Sequence, residues 1–161
     1  IAASGYPHDS GPYELSTSIA MAMRYPNEIL EQGGALIFVG ACDSVFTEGS
    51  GNFEFMQLMR SFCEPDDIVA EVQKHQEHEE SEEPTLRNFL LQTRAYGCAL
   101  TIKNYSEVLV AGPKLPGLIR DMNFVPVRTV DRALERAMKT MGKDAEILVV
   151  PRTRASVVYV E

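Results

Sequence analysis

Three short apolar runs, each ended by a turn signal, constrain the fold of this chain more than any other feature of its sequence. They are Ala35–Gly40, Glu107–Ala111 and Glu146–Val150. Short runs rich in Val, Ile and Leu are typical of strands that are buried on both faces of a parallel sheet. A fourth run, Phe124–Val127, contains a proline, so we expect it at a sheet edge or in a connector. Residues 1–4 fit the tail of a first strand.

Patterns typical of helices separate these runs. The clearest helix is predicted over 130–141, because Thr129 can cap it, apolar residues recur along one face, and Gly142 can close it. Other helices are predicted after Gly11-Pro12 and over 52–62, 65–79 and 84–100. Alternating strands and helices predict an α/β fold, a three-layer, Rossmann-like, mostly parallel sheet with helices on both faces. The length of 161 residues fits one domain over 1–161.

The charge and the cysteines restrict the partners and the compartment. A formal net charge of −8 argues against binding to nucleic acid or to an anionic membrane surface. No apolar run approaches the roughly 20 residues that a membrane span requires. Three widely spaced cysteines without a C-x-x-C pair are typical of free thiols, so we expect a cytoplasmic protein.

Two segments should lie at the carboxyl ends of strands, where open parallel sheets bind their ligands. The first segment, residues 5–14, links the first strand to the first helix. The side chains of Tyr13, Glu14 and Thr17, in the first turns of that helix, can point toward one edge of its N-terminus. A functional interpretation is a substrate-contacting turn, with His8 and Asp9 as possible proton handlers. The structural alternative, which spacing alone favours, is helix capping and packing.

The second segment, residues 42–52, follows the Ala35–Gly40 strand and opens the next helix. Backbone amides of Gly49, Ser50 and Gly51 could face an anion at the helix terminus, although the full G-x-G-x-x-G pattern is absent. Cys42 could be a nucleophile there, but a small buried thiol is the better interpretation.

A pair of histidines offers the one metal-binding pattern. His75 and His78 are three residues apart in a helical stretch with glutamates around them, a spacing that can hold a metal. The flanking run is purely polar, so a solvated helix end is favoured. We therefore assign no metal ligand to this chain.

Several blocks of the sequence together resemble one family. SGYPHDSGPYE, GGALIFVGACDSVFTEGSGNFEF, EVLVAGP and EILVVPRTRAS are similar, in order and spacing, to the C-terminal domain of nickel-pincer-dependent lactate racemase and its relatives. The resemblance covers essentially the whole chain.

The resemblance implies that the parent protein is a racemase or epimerase of 2-hydroxy acids. In that family, a nickel-pincer nucleotide takes a hydride from the substrate, and histidine bases handle the hydroxyl proton. The residues that hold the cofactor and nickel belong to an N-terminal domain that this chain does not contain. The implied role of the C-terminal domain is to close the interdomain cleft and to contact a small hydroxy-carboxylate. No cofactor is expected in this chain, and no turnover is expected from it alone.

Carried over residue by residue, the family motif falls on the first segment. Tyr13 matches the motif tyrosine, Glu14 stands where the family commonly has Gln, and Thr17 stands where the racemase has a Lys. A threonine cannot supply the positive charge that a lysine offers to a carboxylate, so the substrate stays open. A non-catalytic Rossmann-like domain that binds a small anion or a partner domain is the alternative function. A cysteine hydrolase built on Cys42 and His8 is a third, weaker hypothesis.

Overall fold

The computed structural model describes residues 1–22, 31–44, 50–76 and 85–153, and the side chains of residues 22, 75 and 76 are not described. His78 and Gly49 lie outside these ranges.

Among the residues that the structure describes, four parallel strands form the central sheet. They are β1 (Ala2–Ala3), β2 (Ala35–Val39), β3 (Glu107–Ala111) and β4 (Val125–Val127), and they lie in the order β1-β2-β3-β4. The predictions for β2 and β3 are confirmed. The run that contains a proline forms β4, which lies at the edge of the sheet. Proline has no N–H to donate, and at an edge no neighbouring strand requires that donor.

The predicted strand over 146–150 is wrong as a buried five-residue strand. Within this segment, Val150 alone forms a strand-type pair, an isolated parallel bridge to Ala2 on the side of β1 that faces away from β2. Ile147 and Val149 are 49% and 56% exposed, so this segment lacks the cover on both faces that its apolar composition suggested. The apolar run therefore correctly indicated a segment that contacts the sheet, but it did not form a complete strand.

Helices connect the strands and follow the predicted positions with shifted ends. They are α1 (Pro12–Ala22), α2 (Gly51–Arg60), α3 (Pro65–Gln76), α4 (Leu86–Leu90), α5 (Tyr96–Asn104), α6 (Pro116–Asp121) and α7 (Val130–Met141). A π-helical segment, Leu91–Ala95, joins α4 to α5, so the predicted helix over 84–100 is present but irregular. The short helix α6 was not predicted. Helix α7 is confirmed with its Thr129 cap, which accepts a hydrogen bond from the backbone nitrogen of Arg132.

The strand side chains alternate between two cores, which makes the domain three-layered. Phe38 and Val110 face a large cluster formed with helices on one side of the sheet. Ile37 and Leu109 face a smaller cluster on the other side, which includes Ala133 of α7. Alternation with period two is what a pleated strand dictates when helices cover both faces. The predicted α/β class with helices on both faces is confirmed.

Within the described part of the chain, no helix combines the length and the apolar character needed to cross a membrane.

Candidate functional site

Three connections meet at the carboxyl edge of the sheet. The backbone nitrogen of Cys42, after β2, donates to the carbonyl oxygen of Asp9, after β1, at 2.8 Å. The backbone nitrogen of Lys114, after β3, donates to the carbonyl oxygen of Ala41 at 2.7 Å. Parallel strands all end at this edge, so the loops that follow them are held side by side.

Tyr13 joins the two predicted segments at this edge. Its backbone nitrogen donates to Oδ1 of Asn52 at 3.0 Å, a contact between the first turns of α1 and α2. A Cβ atom on Gly51 would lie 3.8 Å from the Tyr13 ring, and the ring of Phe55 meets that ring edge-on with centroids 6.4 Å apart. The structure therefore brings Tyr13 and Gly51 together, as expected for loops at one sheet edge.

Glu14 and Thr17 lie on the same helix as Tyr13 and are half-buried. Oε2 of Glu14 lies 3.6 Å from Nδ1 of His8, an ion pair when the imidazole is protonated. The hydroxyl of Thr17 is 3.4 Å from the carbonyl oxygen of Tyr13 and donates to it. When His8 is protonated, its positive charge offsets the negative charge that Glu14 brings to this edge.

Ser50 caps α2, and this limits what the helix terminus offers to an anion. Its side-chain oxygen accepts a hydrogen bond from the backbone nitrogen of Phe53 at 3.2 Å. Oδ1 of Asn52 does the same for the first turn of α1 by accepting from Tyr13. Each helix start therefore already has a protein acceptor for one of its first-turn donors, and fewer amides remain for a ligand.

Arg94 is a further charged residue at this site, and sequence reasoning did not single it out. Its Nη2 lies 3.4 Å from the hydroxyl oxygen of Tyr13, and its guanidinium carbon lies 4.9 Å from the centroid of that ring. It comes from the π-helical segment, 81 residues after Tyr13. No local pattern connects two positions so far apart, so only the tertiary structure reveals the pair.

Lys114 and Asn52 were also missed as contributors to this edge. Nζ of Lys114 lies 3.0 Å from Oδ2 of Asp43, and both side chains are solvent-accessible. A signal for Lys114 existed, because the residue closely follows the Glu107–Ala111 strand at its carboxyl end. Asn52 stands at a helix start, but only the fold shows that it caps a helix other than its own.

Cys42 is poorly suited to act as a nucleophile. The thiol is buried, and burial, followed by the nearby carboxylates of Asp9 and Asp43, raises its pKa to about 12. Since the thiolate is the reactive form, the thiol is inert near neutral pH. This finding argues against the cysteine hydrolase built on Cys42 and His8.

Among the described residues, no group of three or more His, Cys, Asp or Glu side chains is arranged to hold a metal ion. The side chain of His75 and all of His78, the predicted histidine pair, lie outside the described part of the chain.

The parallel three-layer sheet, with its loops and helix starts joined at the carboxyl edge, defines a Rossmann-like domain with a candidate ligand site at that edge. The chain belongs to the lactate racemase C-terminal domain family, because the sequence model of that family matches residues 1–158. The resemblance noted from the sequence is thereby confirmed.

A solved structure supports the same fold. The lactate racemase apoprotein from Thermoanaerobacterium thermosaccharolyticum superposes with a TM-score of 0.73 at 19% sequence identity, covering 99% of this chain. The chain spans 35% of the length of that protein. No curated protein sequence shows significant similarity to the chain.

Proposed function

We propose that this chain is the C-terminal domain of a nickel-pincer-dependent 2-hydroxy acid racemase or epimerase. In this proposal it closes the cleft against an N-terminal domain and contributes contacts to a small hydroxy-carboxylate. The observation that carries the proposal is the position of Tyr13, which Asn52 and Gly51 hold at the carboxyl edge of the sheet. Membership of the family supplies the reaction class.

The side chains around Tyr13 suit a small polar ligand. Tyr13 is half-buried, Thr17 follows it by one helical turn, and Glu14 is paired with His8 at 3.6 Å. A hydroxyl group from Tyr or Thr can donate to or accept from the oxygens of a hydroxy acid. A Cβ atom at Gly51 would lie 3.8 Å from the Tyr13 ring, an ordinary van der Waals distance, so the start of α2 lies close beside this ring. The second loop would then act mainly by supporting Tyr13 through Gly51 and Asn52.

The nickel-pincer group would be held by the partner domain. The described residues of this chain provide no cluster of ligands that fits a metal ion, so no chemical step is assigned to them. We therefore expect isomerisation from the two-domain protein and none from this chain alone. The N-terminal domain of the same protein is the proposed partner.

The alternative, a non-catalytic domain that binds a small anion at the 42–52 loop, has weaker support. Ser50 caps the helix that would present its amides, and Gly51 faces the ring of Tyr13. An anion at this terminus would compete with protein groups that are already in place.

The test uses the full-length protein loaded with the pincer cofactor, and a panel of chiral 2-hydroxy acids. We expect isomerisation of at least one acid. Tyr13→Phe keeps the ring and its packing but removes the hydroxyl, so kcat/KM should fall by about 3- to 10-fold, the usual worth of one neutral hydrogen bond. Loss of optical activity measured by polarimetry gives the rate.

Tyr105→Phe is the matched control. Tyr105 is half-buried just before β3, at the opposite, amino edge of the sheet, so its hydroxyl should not affect turnover. The proposal fails if the loaded protein isomerises no hydroxy acid, or if the two phenylalanine variants lose activity equally.

A further inference from the structure

Arg94 differs from the other basic residues of this domain in its burial. Among the residues that the structure describes, it is the only Lys or Arg that is half-buried; all others are exposed. Several exposed ones pair with carboxylates, as Arg60 does with Asp121 at 2.7 Å and Arg136 with Glu107 at 2.6 Å. The ion pairs among the described residues do not include Arg94.

The guanidinium of Arg94 is held against Tyr13 but is not satisfied there. Nη2 donates to the Tyr13 hydroxyl oxygen at 3.4 Å, and the group lies 4.9 Å from the ring centroid. Nε is buried and has no hydrogen-bond partner within the described structure. A guanidinium has five N–H donors, and among the hydrogen bonds of the described residues Arg94 donates one, from Nη2 to the Tyr13 hydroxyl.

A cation that is taken partly out of water without an anion is unfavourable, and a buried donor without an acceptor adds to the cost. Such an arrangement is explained when a ligand supplies the missing negative charge. Arg94 lies in a π-helical segment. Such segments are rare in proteins, and those that occur are frequently found at functional sites. This position therefore also supports a ligand-binding role for Arg94.

The geometry also prepares Tyr13 for the same ligand. Because its hydroxyl oxygen accepts from Arg94, its own proton can be donated to another acceptor. Two donors of different type, a phenol and a guanidinium, then lie side by side at the candidate site. One carboxylate group can accept from both, and hydrogen bonds from a charged donor are roughly twice as strong as neutral ones.

We propose that Arg94 and Tyr13 together bind the carboxylate of the ligand, and that Arg94 makes the site selective for an acid over a neutral hydroxy compound. This inference rests on the proposed function and names the residue that recognises the charge. Thr17 carries no charge, so Arg94 supplies the positive charge at this part of the site.

The test is calorimetry on the full-length protein with glycolate and with its neutral amide, glycolamide, neither of which is chiral. The wild type should bind glycolate more tightly. Arg94→Gln should weaken glycolate binding by about 10- to 100-fold, since a hydrogen bond to a charged group is lost, and leave glycolamide binding nearly unchanged. Arg94→Lys should keep a reduced preference for glycolate. Arg87→Gln, an exposed arginine of α4, should bind as the wild type does.

Other outcomes overturn the inference. If Arg94→Gln weakens both ligands equally, or neither, Arg94 only supports the structure. If that variant does not fold, the guanidinium ¹⁵N resonances of Arg94 in the wild type decide: they should shift on titration with glycolate, and unchanged resonances contradict binding.

The two proposals fail separately. A protein that isomerises no acid but prefers glycolate through Arg94 contradicts the proposed reaction alone. A protein that isomerises an acid with the same KM after Arg94→Gln contradicts the role of Arg94 alone.

Discussion

Oδ1 of Asn52 lies 3.0 Å from the backbone nitrogen of Tyr13 and accepts a hydrogen bond from it. That nitrogen belongs to the first turn of α1, where backbone donors have no partner within the helix. The contact therefore caps one helix with a side chain from the start of another, and it fixes the distance between the two segments of the candidate site.

Removing this cap should destabilise the domain. We expect Asn52→Ala to lower the free energy of unfolding by about 1 kcal/mol, the typical cost of losing a helix cap. Asn52→Asp keeps an acceptor oxygen in place and should lose much less. Urea denaturation of the two variants measures the difference, and an alanine variant as stable as the wild type would contradict the capping role.

A side chain at Gly11 should disturb Asn52, because a Cβ atom there would lie 2.5 Å from Oδ1 of Asn52. Gly11→Ala must displace the Asn52 side chain and break its hydrogen bond to Tyr13, so we expect a loss of about 1 kcal/mol or more. Gly117→Ala is the control, since nothing lies within 4 Å of its added Cβ in helix α6. The control should be neutral or slightly stabilising. Equal melting temperatures for the two variants would show that the contact does not matter.

Ser50 and Thr129 are both helix caps, and comparing their variants distinguishes an effect on stability from an effect on function. Ser50→Ala and Thr129→Ala each remove the side-chain oxygen that caps a helix, α2 and α7 respectively. Both should cost about 1 kcal/mol in unfolding experiments. Only Ser50→Ala should also lower the kcat/KM of the proposed isomerisation by the full-length protein, because Ser50 precedes Gly51 at the candidate site. If both variants had the same kcat/KM, the α2 terminus would have no part in turnover.

The three cysteines should differ in reactivity. Cys63 is exposed, whereas Cys42 and Cys98 are buried, and burial raises the pKa of each buried thiol to about 12. Iodoacetamide at pH 8 should modify only Cys63 in the folded protein and all three in urea. Mass spectrometry of the peptides counts the modified sites, and rapid labelling of Cys42 in the native protein would revive the nucleophile hypothesis.

Stability should fall at alkaline pH through the same thiols. Burial raises the pKa of Cys98 from 9.0 to about 12, so the unfolded chain releases this proton first as the pH rises. Between about pH 9 and 12, this thiol therefore lowers the free energy of unfolding by about 1.4 kcal/mol for each pH unit. Below pH 9 both states keep the proton and the thiol adds no pH dependence. Cys98→Ala should show a shallower decline than the wild type, whereas Cys63→Ala should follow the wild type.

Much of the fold could be predicted because burial leaves a periodic trace in the sequence. Ile37 and Leu109 sit in runs that are apolar on both faces, and α7 shows its apolar stripe and its Thr129 cap. Val150 shows the limit: composition predicts that a residue approaches a sheet, but whether its neighbours are covered depends on other elements.

The candidate site was predictable only in part. The rule that loops meet at the carboxyl edge placed Tyr13 and Gly51 together, because topology alone sets that meeting. The contact of Arg94 with Tyr13 depends on how a π-helical segment packs against α1, and no pattern along the chain encodes it. The pairing of Glu14 with His8 likewise needed coordinates, although both residues had been noted.

The mutual support of α1 and α2 has a consequence for how this scaffold can diversify. The tie between them uses a main-chain amide of Tyr13 and the amide side chain of Asn52, and so leaves positions 14 and 17 outside the tie. If these positions contact the ligand as proposed, exchanges at them should change which acid is bound without breaking the contact between α1 and α2. In α1, a backbone atom thus maintains the fold, while neighbouring side chains are left to determine which ligand is bound.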